Sequence, residues 1–363
     1  MPGLFDPLTI RSATFRNRIW VSPMCQYSVL EKDGVPRDWH LVHLGSLAVG
    51  GAGLVMAEAT AVSPEGRISD EDTGIWNDEQ RDAWARIVRF IHERGAVAGV
   101  QLAHAGRKAS TWPEWGYDRS GTMAEADGGW QSVSASPVAF EGYDAPIALD
   151  AAGIDTVVAD FASAAARSVA AGFDVVEVHA AHGYLLHQFL SPLSNRRDDE
   201  YGGSLANRAR LVLRVVSAVR EAVGDDIAVF VRFSATDWAE GGWDQQQTAT
   251  VAGWARDAGA DFFDISSGGL VAGASIAVSP GYQVPFAEYV RDEAGVGVCA
   301  VGLITSTDQA QAIVSENRAD AVMLGRELLR DPHFPLHAAQ HLGVEVDYWP
   351  EAYHRARPRP HAG

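Results

Sequence analysis

Eight short apolar runs, each followed by a longer stretch of helical period, constrain this chain more than any other feature. The runs cover residues 19–21, 54–57, 97–102, 175–178, 228–233, 262–265, 296–301 and 321–324. Between and after them lie helix-like segments near 39–50, 78–94, 153–171, 204–223, 245–258, 284–293, 306–316 and 333–342. Many of these stop just before a glycine, as helix C-termini often do. Eight β-then-α units predict a closed parallel (β/α)8 TIM barrel of the α/β class. The competing arrangement, a doubly wound open sheet, usually carries a glycine fingerprint after its first strand. Ser22-Pro23-Met24-Cys25 has no such glycines.

The 363 residues allow two domains by length alone, but barrels of this class carry such lengths as one domain with enlarged loops. We read residues 1–347 as that single domain. Residues 1–18 precede the first strand and read as an N-terminal hairpin capping the barrel bottom. The segment 111–146, rich in Trp, Gly, Ser, Asp and Pro and without a sustained period, is long for a connection and reads as a lid inserted after strand 3. Residues 348–363 form a tail with alternating Arg and Pro, expected to be non-helical and either free or docked at a subunit interface.

Composition removes several function classes. A net charge of -18 argues against nucleic acid or an acidic membrane surface as partner, so any anionic ligand must be met by local arginines. Cys25 and Cys299 are the only cysteines, too few for a disulfide framework or an iron–sulfur cluster, which fits a reducing cytoplasm. No secretory pattern opens the chain and no stretch offers 18 uninterrupted apolar residues, so an unexported protein with no membrane span is expected.

In a β/α barrel the active site forms at the C-terminal ends of the strands, which selects the residues just after each apolar run. These are Pro23 to Cys25, Ala59, Gln101, His179 and His182, Arg232, Ser266 to Gly269, Gly302, and Gly325 with Arg326. Glycines after the last two strands let backbone N–H groups approach a phosphate, and Arg326 can bind one bidentately. His179, His182 and Tyr184 follow the fourth run together. Neutral imidazoles can donate N–H groups and a phenol can lend a proton, so the trio suits polarising a carbonyl and protonating the neighbouring carbon. Structural hydrogen bonding and a zinc site completed by His40, His43, His104 or His187 are the alternatives. The pair lacks the intervening Glu of the helical metalloprotease motif.

Several ordered motifs carry a family resemblance. They include Ser22-Pro23-Met24-Cys25-Gln26-Tyr27, Glu58-Ala59-Thr60, Gln101-Leu102-Ala103-His104-Ala105-Gly106-Arg107, His179-Ala180-Ala181-His182-Gly183-Tyr184, Ser191-Pro192-Leu193-Ser194-Asn195, Asp199-Glu200-Tyr201-Gly202-Gly203 and Gly325-Arg326-Glu327-Leu328-Leu329-Arg330-Asp331-Pro332. Over nearly its whole length the chain resembles the Old Yellow Enzymes, in the thermophilic-like subgroup of flavin-dependent ene-reductases.

The resemblance implies non-covalent FMN and NADPH, or possibly NADH, as reductant. It places Ser22, Pro23, Met24 and Cys25 along the isoalloxazine, Ala59 where the ring needs a small neighbour, and Gln101 at the pyrimidine edge. Arg232 would meet the charge near flavin N1 and O2, with Gly302, Gly325 and Arg326 at the phosphate and Arg330 paired inside its own helix. His179 and His182 would donate to the carbonyl oxygen of an electron-poor alkene, Tyr184 would protonate Cα, and Tyr27 would bind substrate from the opposite side. Tyr353-His354-Arg355 resembles a terminal motif that reaches a neighbouring subunit of a homodimer or homotetramer, although this chain continues past it to Gly363. The rival functions are a zinc-dependent barrel hydrolase and a catalytically silent flavin-binding protein. Neither the physiological substrate nor the stereoselectivity is legible.

Overall fold

The computed structural model describes residues 2–357. The apolar runs form eight parallel strands: β1 (Ile19–Val21), β2 (Leu54–Ala61), β3 (Val97–Ala103), β4 (Val175–Ala180), β5 (Ala228–Ser234), β6 (Phe262–Ser266), β7 (Gly297–Ala300) and β8 (Ala321–Leu324). They pair in chain order, and β8 closes on β1 through Val322–Ile19 and Leu324–Val21. The expected TIM barrel is therefore the fold. Eight helices surround it: α1 (Asp38–Val49), α2 (Asp78–Glu93), α3 (Ala151–Ala171), α4 (Leu205–Val223), α5 (Gln245–Asp257), α6 (Val284–Ala294), α7 (Thr307–Ser315) and α8 (Phe334–His341).

Local chemistry sets the helix ends. Asn77, Asp150, Ser204, Asp244 and Ser306 each accept a backbone N–H three residues on, satisfying a donor the first turn leaves free. Gly172 and Gly295 stop α3 and α6 in the left-handed region.

Alternation along the strands sorts side chains into two cores. Outward residues such as Val176, Val178, Val229 and Val231 pack beneath the helices. Inward residues at the strand starts, including Trp20, Phe230 and Phe262, fill the barrel bottom with ring centroids 5.0 to 5.9 Å apart. The hairpin of Leu8–Ile10 and Ala13–Phe15 plugs that end, with the Phe15 ring 4.6 Å from Trp20.

One irregularity matters for the site. Pairing between β2 and β3 runs Ala57 to Val100 and then Ala59 to Gln101, skipping Glu58. Leu54 and Met56 point inward, so strict alternation would send Glu58 into the barrel and Ala59 out. The bulge reverses this, leaving the small Ala59 beside inward Gln101 and sending Glu58 toward α1.

Two short helices join the eight: Leu185–Leu190 after the β4 turn, which has no counterpart in the sequence reading, and Arg326–Arg330 after β8, the helix region in which the resemblance puts Arg330. The segment 111–146 holds a bridge between Thr111 and Thr122 and a 3-10 turn at Glu125–Asp127. Its strand Val133–Ser134 pairs with Ile147–Ala148. The tail departs from expectation, because Glu351–Ala356 forms a 3-10 helix. Pro350 starts it by accepting from the Tyr353 N–H. Residues 358–363 of that tail lie outside the described residues. No helix among the described residues is long and apolar enough to cross a membrane.

Candidate active site

Two residues above the aromatic bottom, the inward positions of the same strands become polar. Glu177, Arg232, Asp264 and Gln101 are all at least 95 % buried and face one another. Arg232 Nε stands 2.7 Å from Asp264 Oδ2, and its Nη2 donates to Ser22 Oγ at 3.3 Å. Gln101 Nε2 donates to Glu177 Oε1 at 2.7 Å, while Glu177 Oε2 has no partner among the described residues. Burial beside the Asp264 carboxyl pushes Glu177 up to about 8.

The next inward position on β4 is His179, and the chain then turns sharply. His182 at φ 56° and Gly183 at φ 73° both occupy the left-handed region, which for histidine is strained. Side chains, most of them buried, hold the backbone groups of His182 and Gly183. The His182 N–H donates to Ser234 Oγ at 2.9 Å, and the His182 carbonyl accepts from Lys108 Nζ at 2.9 Å. The Gly183 N–H donates to His187 Nδ1 at 3.0 Å, and its carbonyl accepts from Gln188 Nε2 at 2.7 Å. His187 Nε2 in turn lies 2.9 Å from Asp237 Oδ1, both groups fully buried. Gly183 also needs to be glycine, since a Cβ there would sit 2.2 Å from the Gly269 carbonyl oxygen.

This turn brings three predicted residues together. The His179 and His182 rings are 5.2 Å apart and nearly perpendicular, and the Tyr184 ring is 5.1 Å from His179. Burial, with the Arg232 charge next in size, holds both imidazoles well below the usual histidine range. Each is neutral at physiological pH and keeps one N–H to donate. His182 Nε2 contacts Ser266 Oγ at 2.8 Å. Burial pushes the Tyr184 phenol well above its ordinary value, so it retains its proton.

Opposite the turn, Cys25 and Tyr27 pack with Tyr184 around Ile68, Ala105 and Ala109. Burial and nearby Asp72 and Glu58 raise the Cys25 thiol, so it is not a standing thiolate. Tyr27 is left-handed at φ 47°. Its loop is tied down by the displaced Glu58, whose Oε2 accepts the Gln26 N–H at 2.9 Å and whose Oε1 lies 3.4 Å from His40 Nε2. Pro23 and Met24 are half-buried along the same loop, with Met24 Sδ the nearest side-chain atom to Gly325.

A cavity of about 300 Å³ opens from His182 toward Tyr282, Gly302, Gly325 and Arg326. Gly302 has φ 113°, and a Cβ there would come within 2.7 Å of Gln283 Nε2. Cavity-lining backbone at two half-buried glycines, with the exposed Arg326 guanidinium beside them, is a donor set that fits a phosphate ester. Arg330 instead pairs with Glu327 in its own short helix.

Arg355 is not brought to this site. It lies exposed on the tail helix, two residues from Tyr353, whose ring packs 6.5 Å from His333. The four histidines of the zinc alternative are placed elsewhere: His40 near Glu58, His43 stacked 6.4 Å from Trp39, His104 accepting from the Gly106 N–H, and His187 at Asp237. Among the described residues no group of three metal-type ligands gathers.

Sequence reasoning missed Glu177, Asp264, Lys108 and Asp237, and offered His187 only as a zinc-ligand alternative. The first two carried a signal, being charged residues at inward parity within otherwise apolar strands. Lys108 and neighbouring Arg107 are cations directly after β3. Arg107 ties the site to segment 111–146 by donating to Val138 and Ala139 carbonyls at 3.2 and 3.4 Å.

A barrel mouth with a charged floor, paired neutral imidazoles and a phosphate-type cavity is that of a β/α-barrel protein built to hold a phosphate-bearing ligand beside uncharged hydrogen-bond donors. The model of the NADH:flavin oxidoreductase / NADH oxidase family matches residues 3–345, and the chain belongs to that family, the Old Yellow Enzymes. It is 47% identical over 357 residues to an NADPH dehydrogenase of Listeria monocytogenes serotype 4b, covering 98% of this chain and 99% of the relative. An NADPH dehydrogenase of Bacillus subtilis strain 168 is 45% identical over 344 residues, 94% of this chain and 96% of the relative. Among solved structures, morphinone reductase superposes with TM-score 0.78 at 32% identity, covering 95% of this chain and 91% of that one. The old yellow enzyme homologue from Zymomonas mobilis has TM-score 0.78 at 27% identity, covering 99% and 100%. This protein is thus a flavin-dependent nicotinamide oxidoreductase, with FMN as the cofactor that its glycine and arginine donors fit.

Proposed function

We propose that this enzyme is an NADPH-dependent ene-reductase that saturates the C=C bond of electron-poor alkenes such as enones, enals, maleimides or nitroalkenes. The carrying observation is the pair of neutral imidazoles at the end of β4, His179 buried and His182 half-buried at the cavity, perpendicular and 5.2 Å apart, with a protonated phenol at their side. When bound, FMN supplies the redox chemistry, accepting hydride from NADPH and passing it to the alkene β-carbon.

The chain's own residues do the rest. His179 and His182 donate to the substrate carbonyl oxygen, where negative charge accumulates, an oxyanion role in which one lost donor costs roughly 2.7–4 kcal/mol of barrier. Tyr184 gives its proton to the α-carbon, and Tyr27 holds the substrate from the other side. Ser22 to Cys25, Ala59 and Gln101 would line the FMN ring, Arg232 would meet the negative charge of its reduced form, and Gly302, Gly325 and Arg326 would hold the phosphate. Residues 1–347 act as one catalytic domain, with 111–146 as a lid whose Trp115 packs 5.0 Å from the Tyr27 ring. The same reading extends to a homodimer or homotetramer in which exposed Arg355 reaches a neighbour, and native mass spectrometry of wild type and Arg355→Ala tests that part.

The central test is anaerobic stopped flow with the FMN-loaded enzyme. NADPH should bleach the flavin, and 2-cyclohexenone should restore its colour while yielding cyclohexanone. Bleaching that no enone, maleimide or nitroalkene reverses would leave a flavin reductase without alkene chemistry and sink the proposal.

A further inference from the structure

The floor of the site holds more negative than positive groups. Glu177 on β4 faces Gln101 on β3, Arg232 on β5, Asp264 on β6 and Cys299 on β7. Only one of these is a cation. Glu177, Asp264 and Cys299 are completely buried, so two ionised carboxylates against one guanidinium would leave an uncompensated charge in a low-dielectric layer. Geometry decides which carboxyl gives way. Asp264 forms an ion pair, with Oδ2 2.7 Å from Arg232 Nε although neither of its oxygens is aligned for a hydrogen bond, whereas Glu177 makes no ion pair among the described residues and takes its one hydrogen bond from the neutral Gln101 amide.

We propose that Glu177 is a proton-holding positioning residue which, by staying neutral beside Arg232, keeps the floor free of net charge and thereby sets how strongly the site favours reduced over oxidised FMN. The inference rests on the reading that Arg232 faces the flavin pyrimidine. Two-electron reduction places one more negative charge against the guanidinium, and that charge makes Glu177 hold its proton more tightly. Where Glu177 is ionised in the oxidised enzyme, reduction must therefore draw one extra proton from solvent onto its carboxylate. No other oxidant, reductant or co-reactant enters this step.

Sign follows from the direction of the shift. Burial raises Glu177 to about 8, so below that pH the floor is neutral in both redox states. Above it, the preference for reduced FMN should fall tenfold further for each pH unit than the flavin alone requires, equivalent to about 30 mV per unit for two electrons.

The experiment is the midpoint potential of FMN bound to the holoenzyme, measured by spectroelectrochemistry from about pH 6.5 to 9.5 for wild type, Glu177→Gln and Arg232→Gln. Wild type should pass from one to two protons taken up per electron pair near pH 8, while Glu177→Gln keeps one throughout and matches wild type at neutral pH. Identical slopes in wild type and Glu177→Gln would overturn the proposal while leaving the site intact. An Arg232→Gln potential unchanged at every pH would overturn the placement of Arg232, and the proposal with it. Should Glu177→Gln fail to fold, reduced-minus-oxidised infrared spectra of wild type at pH 9 give the same answer without a variant. A carboxylic C=O band must appear on reduction, and its absence overturns the proposal.

Discussion

The bottom and the mouth of the barrel use the same strands, only two residues apart. Trp20, Phe230 and Phe262 at the bottom become Ser22, Arg232 and Asp264 in the layer above, and on β4 Val175 is followed inward by Glu177 and His179. Both layers are buried, yet they act oppositely on stability. Each aromatic at the bottom contributes roughly 1.5–3 kcal/mol by leaving water. Each charge at the mouth costs free energy to bury, offset only where a partner meets it. The bottom therefore holds the barrel closed, and the mouth holds a glutamate that keeps a proton it would lose in water at neutral pH, beside histidines and a phenol kept neutral over a wider pH range than in water.

Substitutions at the two levels should separate stability from chemistry. Phe230→Ala at the bottom removes a fully buried ring and should lower unfolding free energy by about 3–5 kcal/mol in urea titration. The folded fraction should keep its flavin spectrum and its alkene rate. A large rate loss in folded protein would mean that the two layers are not separable. His182→Ala at the mouth should do the reverse, slowing the alkene half-reaction by about 10²–10³ while leaving the urea midpoint nearly in place.

Tyr184→Phe divides the mouth itself. Losing a general acid costs at least about 10² in the step that uses it, so alkene-dependent reoxidation should slow by that much. Reduction by NADPH, which needs no proton from the phenol, should stay within about twofold of wild type, given that the ring's packing against His179 survives the change. Equal slowing of both half-reactions would assign Tyr184 to binding instead.

Much of this division is legible in the chain because it depends on local period. Eight apolar runs and the helical segments between them specify the barrel, and the residues after each run nominate the mouth. What stays hidden depends on closure. Val-Val-Glu-Val-His shows that a charge lies inside a strand, but only the closed barrel shows that Arg232 and Asp264 stand against it. His187 and Asp237 lie fifty residues apart and meet beneath the turn after β4. The bulge that exchanges Glu58 for Ala59 is a one-residue slip with no mark of its own in Leu54-Val55-Met56-Ala57-Glu58-Ala59. The tail's 3-10 helix eluded a reading that gave its prolines more weight than the turn started by Pro350.

The smallest expected effect is the pH response of the paired imidazoles, and its size is the test. An exposed histidine titrates near 6.5, so a pocket using imidazolium donors would lose activity as pH rises through that value. Here burial and the Arg232 charge lower both groups, so the N–H donors are already those of neutral rings. The alkene half-reaction should be flat within about twofold between pH 6 and 7.5 by this argument. A rise or fall centred near 6.5 that vanishes in His179→Gln or His182→Gln would show a titrating pair and break the assignment. Stability responds with a definite sign. Below about 6.5 the unfolded chain binds protons that buried histidines refuse, so folding weakens as pH falls toward the value of about 4 at which His40 and His104 titrate. The raised carboxyls of Glu58 and Asp72, at about 8 and about 7, work the other way. They stay protonated in the fold while the unfolded chain ionises above about 4.5, so their contribution strengthens as pH falls over the same interval. The two trends oppose each other between about pH 4.5 and 6.5, which predicts a shallower acid slope for the whole protein than its buried histidines alone would give.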